Sequence, residues 1–141
     1  MSTEPNQTFQ IQFLNNFEAL ARATESAMQF LEQAEASAGA INVANLALEE
    51  MATNIVKYGY DDQDAHEILL RLALVPGAIV LTLEDDGHPF DPLGAPEPDI
   101  HLPLEEREPG GLGIHLIRKM AQRMAYERSG GRNRLTITIR A

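Results

Sequence analysis

The stretch Glu67-Ile-Leu-Leu-Arg-Leu-Ala-Leu-Val-Pro-Gly-Ala-Ile-Val-Leu-Thr-Leu-Glu84 reads as two apolar strands turning on Pro76-Gly77. Proline presets the backbone of a turn and glycine supplies the positive φ that the next position requires. Glu67–Val75 and Ala78–Glu84 are therefore expected to pair as an antiparallel hairpin. This is the most apolar part of the chain, yet Arg71 and Pro76-Gly77 interrupt it, so it reads as a hairpin and not as a membrane span.

On the N-terminal side, Phe9, Ile11 and Phe13 alternate with polar residues across Thr8 to Leu14, the pattern of a half-buried strand. Asn15 or Asn16 is placed to cap a helix running to about Ala36, with Phe17, Leu20, Ala27, Phe30 and Leu31 on its buried face. Gly39 separates this helix from a second, about Ala40 to Tyr58, whose residues Ile41, Ala44, Leu48, Met51 and Ile55 recur at three- and four-residue steps. Gly59 ends it.

On the C-terminal side, Asp85 to Pro109 is a long loop rich in proline and acid, a length that marks a functional or disordered segment. A third helix is expected from Gly111 to Ala125, with Ile114, Ile117, Met120 and Met124 as its core stripe. Ala125–Arg128 and Asn133–Arg140 close the chain as a hairpin around Gly130-Gly131. The order β-α-α-β-β-loop-α-β-β predicts an α+β fold, a two-layer sandwich with helices on one face of a mixed, largely antiparallel sheet. With 141 residues, no repeat and no internal linker, residues 1–141 are expected to form one domain.

Composition narrows the chemistry. The absence of cysteine excludes disulfides, thiol nucleophiles and thiolate zinc sites. A net charge of −10 argues against a nucleic-acid partner, which would call for clustered Lys and Arg. Met1 to Gln7 is polar and lacks the basic and apolar regions of a secretory signal, so the cytoplasm is the expected location.

Three segments flanking the hairpin carry chemistry. Glu50 and Asn54 lie four apart on the second helix and share a face with Val43 and Ala47, off the apolar stripe and therefore at the rim of a cleft. An Asn oxygen suits Mg²⁺, and a neighbouring carboxylate can orient or deprotonate an attacking hydroxyl. Asp85-Asp86-Gly87 ends a strand. An acid there can accept a hydrogen bond from an exocyclic amine such as adenine N6, and a glycine admits a flat ring to the backbone. Gly110-Gly111-Leu112-Gly113 opens the third helix, where free N–H groups attract anions.

Taken singly, each segment has a plainer reading: a solvated helix face, an Asp-Gly turn, a linker before a helix. Gly113 resists that reading, because glycine inside a first helical turn costs stability. Together the segments supply what is needed to hold a base, a magnesium ion and a chain of phosphates. His66, His88, His101 and His115 show no metal-ligand spacing, and the chain has neither a P-loop nor a Rossmann glycine fingerprint. Arg107, Arg118 and Lys119 are further candidates for phosphate contact.

Leu48-Glu-Glu-Met-Ala-Thr-Asn54 with Tyr58-Gly-Tyr60, followed by Glu84-Asp-Asp-Gly-His-Pro-Phe-Asp-Pro92 and Gly110-Gly-Leu-Gly-Ile-His-Leu-Ile-Arg118, resembles the bacterial anti-sigma-factor serine kinases. These belong to the superfamily of gyrase, heat-shock chaperone and sensor histidine kinase ATPases, the Bergerat fold. The resemblance spans about Thr8 to Ala141. It implies that Glu50 is the catalytic acid, Asn54 the magnesium ligand, Asp85 with Gly87 the adenine reader, and Gly111, Leu112 and Gly113 the phosphate-facing turn. The loop at about residues 88–110 would be the ATP lid.

The same resemblance implies phosphorylation of a serine on a small anti-anti-sigma (STAS-type) partner, sequestration of a sigma factor, and frequent dimerisation. The chain departs from the family's pattern at three points. Pro89 replaces the second glycine of the Asp-x-Gly-x-Gly box, Tyr58 stands where several relatives carry histidine, and the last hairpin lacks a Gly-Thr step. No nucleotide contact is therefore carried onto Thr136 or Thr138. The rival expectations are a nucleotide-gated binding module without transfer, and a scaffold that binds no nucleotide.

Overall fold

The computed structural model describes residues 7–94 and 111–141. Residues 1–6 and 95–110, and with them most of the expected lid loop, His101, Arg107 and Gly110, lie outside the described residues. The elements are β1 (Gln7–Leu14), α1 (Phe17–Gln33), α2 (Ala38–Tyr58), β2 (Glu67–Val75), β3 (Ala78–Asp85), α3 (Gly111–Met120), β4 (Arg123–Ser129) and β5 (Arg132–Arg140). The strands form one sheet in the order β1-β2-β3-β5-β4, and all four pairings are antiparallel.

The hairpin turns where proline and glycine placed it, with Gly77 at φ +77°. Alternation then buries one sheet face: Ile68, Leu70 and Leu72 from β2, Ile79, Leu81 and Leu83 from β3, and Leu135, Ile137 and Ile139 from β5. Leu20, Ala27 and Leu31 of α1 and Ala44, Leu48 and Met51 of α2 join them in a single core. Phe9 of β1 stacks on Phe30 of α1, ring centroids 5.4 Å apart. No helix among the described residues is long and apolar enough to cross a membrane.

Helix ends differ from expectation for local reasons. Asn16 caps α1 by accepting from the Ala19 N–H at 2.8 Å. The helix stops at Gln33, short of Ala36, and Glu35 follows at φ +62°. The next boundary is Ser37 and not Gly39: the Ser37 hydroxyl accepts from the Ala40 N–H at 3.1 Å, which leaves Gly39 inside the first turn of α2. Ser37→Ala should therefore lower unfolding stability by about 1 kcal/mol in a denaturant titration.

At the other end, α3 finishes at Met120, because Gln122 donates its N–H to Thr138 at 2.8 Å and the chain joins the sheet. Met124, expected on the helix, pairs with Ile137 in β4. Phe17 and Met120 are exposed, both roughly 90° from the centre of their helices' buried stripes.

Candidate functional site

Glu50 and Asn54 sit on one shoulder of α2, both partly buried, one and two turns beyond the fully buried Ala47. Their partial burial agrees with a place off the apolar stripe. Across from Glu50 lies the first turn of α3. A Cβ at Gly113 would fall on the carboxyl group of Glu50, so the missing side chain is what lets the acid pack against that turn. A carboxylate is stabilised at a helix N-terminus by the unpaired N–H groups there. The helical cost of Gly113 thus has a tertiary explanation. Gly111 and Leu112 stand in the same turn.

A second glycine joins the Asp85–Gly87 turn to the end of α2. Gly87 is buried, and a Cβ there would meet the carbonyl oxygen of Gly59, the C-cap of α2. The same Gly59 oxygen accepts from the His88 N–H at 2.9 Å. Within the chain, the room that Gly87 leaves is taken by backbone. The two contacts, Glu50 on Gly113 and Gly59 on Gly87, bring all three segments to α2.

Asp85, only 4% exposed, ends β3 opposite Asn133, the matching residue of β5. Its Oδ1 accepts from the Gly87 N–H at 2.8 Å and from Asn133 Nδ2 at 3.0 Å. Asn133 Nδ2 also donates to the His88 carbonyl at 2.7 Å. Its Oδ1 accepts from the Tyr126 hydroxyl and from Arg128 Nη1, the latter at 3.2 Å. Arg128 Nη1 donates in addition to the Gly87 carbonyl at 2.7 Å. Burial of such polar groups is tolerable because they are paired.

Sequence reasoning missed Asn133, Tyr126, Arg128 and Gly59. One signal was present. Asn133, Leu135, Ile137 and Ile139 alternate on the inward side of β5, and an amide in a core register calls for a buried partner.

A cavity of about 260 Å³ opens beside this turn, lined by Tyr60, Asp61, Asp62, His66, Asp86, His88 and Arg128 among others. It does not include Glu50, Asn54 or Gly113. His66 stacks on Tyr60 at 4.1 Å, with Nε2 2.8 Å from Asp62 and Nδ1 3.3 Å from Asp86. His88 Nε2 lies 3.0 Å from Asp61. Burial, and then the charges of Asp85 and Asp86, push the Tyr60 hydroxyl up, so it stays protonated.

The hydrogen bond to Asp62 raises the pKa of His66, and the same bond lowers that of Asp62. Folding therefore favours the imidazolium. Its contribution to stability is complete below the ordinary imidazole value of about 6.5 and fades as pH rises through the raised one. In an NMR titration the His66 midpoint should lie above that of a free imidazole and fall back in Asp62→Asn.

The helix-borne acid and amide, the strand-end acid and the glycine-opened helix thus belong to one α+β layer pair. The chain belongs to the histidine kinase-like ATPase domain family, whose model matches residues 13–139. Serine/threonine-protein kinase BtrW of Bordetella bronchiseptica is 31% identical over 93 residues, which cover 66% of this chain and 66% of BtrW. The crystal structure of the RsbU and RsbW domains of Rv1364c from Mycobacterium tuberculosis matches with a TM-score of 0.69 at 17% identity. That match covers 96% of this chain but 33% of the other, so this chain spans about a third of its length. The likeness establishes the shared fold.

Proposed function

We propose that this protein binds Mg²⁺-ATP at the rim of α2 and transfers the terminal phosphoryl group to a serine of a small anti-anti-sigma-type partner. The observation that carries the reading is the Glu50 carboxyl seated against Gly113, which puts an acid beside the helix turn suited to phosphates. Support comes also from the family match and from a relative named as a serine/threonine kinase.

The residues suit the ligand. Asp85 accepts its two hydrogen bonds from described residues on Oδ1, which leaves Oδ2 as an acceptor for an exocyclic amine. The backbone of Gly111, Leu112 and Gly113 would face the phosphates. Among the described residues no group of three or more His, Asp or Glu could hold a metal, so Mg²⁺ at Asn54 would draw its other oxygens from phosphate and water. Bound magnesium would neutralise charge on the phosphates.

Glu50 then accepts the serine proton as the new O–P bond forms and ADP leaves. Phosphoryl transfer depends mainly on position and charge, so few side chains suffice. The same site would let nucleotide state govern affinity for a sigma factor.

The test has two arms. Mg²⁺-ATP at 100 times its Kd should add about 2.7 kcal/mol to stability in a thermal shift, and no shift at millimolar nucleotide refutes binding. Labelled ATP should then mark a serine on the genomic-neighbour regulator. Binding without label transfer would instead identify a nucleotide-gated binding module.

A further inference from the structure

We infer that Asn133 is the positioning residue that sets Asp85 as a pure hydrogen-bond acceptor and so confers selectivity for a purine bearing a 6-amino group. The inference rests on the nucleotide-binding reading above and assigns a role to a residue outside the three segments.

Asn133 is 6% exposed and uses its whole hydrogen-bonding capacity: two N–H groups on Asp85 and the His88 carbonyl, two lone pairs on Tyr126 and Arg128. Rotating the amide by half a turn would set oxygen against the Asp85 carboxylate and nitrogen against the Arg128 guanidinium. Only one orientation is therefore admissible. That orientation aims its donor at Oδ1 of Asp85, where the Gly87 N–H already points.

Both described donors converge on one oxygen, Oδ1. Arg128 spends its Nη1 on Asn133 and on the Gly87 carbonyl, and neither Asp85 nor the Asn133 amide has an N–H left for a ligand. A base reaching Asp85 must bring the donor itself. A 6-amino group satisfies that requirement, and a base without one leaves a buried carboxylate oxygen unpaired.

The test compares Kd values of the full-length protein for ATP and for purine riboside triphosphate, which has the same sugar and phosphates but no 6-amino group. The wild type should prefer ATP by about tenfold or more. Asn133→Asp is nearly isosteric and keeps acceptors for Tyr126 and Arg128, but removes both donors. Its preference should fall below about threefold, with affinity for purine riboside triphosphate reduced far less than that for ATP. The ratio cancels any loss of stability or gain of charge common to both ligands.

An unchanged ratio in Asn133→Asp, or equal losses for both nucleotides, overturns the inference. If that variant does not fold, Tyr126→Phe removes one prop from Asn133 and must lower the ratio several-fold; an unchanged ratio there also overturns it. A wild type that binds ATP without preference refutes the role of Asn133 alone. A wild type that binds neither nucleotide refutes the nucleotide reading and this inference with it.

Discussion

Glu50→Gln is expected to lower phosphoryl transfer to the partner serine by on the order of 10²- to 10⁴-fold, the usual worth of a general base. ATP affinity should stay within about threefold, because the amide keeps the size of the acid and Asp85 is untouched. The carboxyl of Glu50 packs against Gly113, and a glutamine can make the same contact. What it cannot do is take the serine proton. Single-turnover transfer of label, measured beside equilibrium ATP binding, separates the two effects. Equal transfer by the variant and the wild type would remove Glu50 from the mechanism.

Gly113→Ala should reproduce much of that loss without touching an ionisable group. The added methyl lands on the Glu50 carboxyl, and the far end of a flexible side chain gives way more readily than backbone does. The fold should survive, since alanine in a helix is favoured over glycine by about 1 kcal/mol. The thermal midpoint is thus expected to hold or rise while transfer falls about 100-fold, the scale of a misplacement near 1 Å. Combining the two substitutions should cost little more than Glu50→Gln alone, because both act through one carboxylate. Additive losses would mean that Gly113 acts elsewhere.

These two residues also show how far sequence reading reaches. The β2–β3 hairpin and the faces of α2 were legible because alternation, helical period and Pro-Gly are local signals. The partial burial of Glu50 and Asn54 followed from the same period. The ends of α1 and α3 were not legible: pairing of β4 with β5 claims Met124, which helical spacing alone assigns to the helix. Gly113 was visibly costly, yet nothing local could say that Glu50 fills its place. Gly59 with Gly87, and Asp85 with Asn133, are likewise contacts between segments far apart in the chain. Such pairings exist only once the sheet has its order.

The direct pairing of β3 with β5 has a consequence for how this protein could vary. Asp85 and Asn133 form the last rung of that ladder, and the chain between them makes an excursion that includes α3 and β4. The rung closes the base of that excursion like a clasp. Residues can be inserted or removed ahead of α3, between positions 94 and 111, without shifting the register of the two residues that close it. Length in the loop and the strength of the clasp are therefore independent variables, free to diverge separately among descendants or in the hands of a designer.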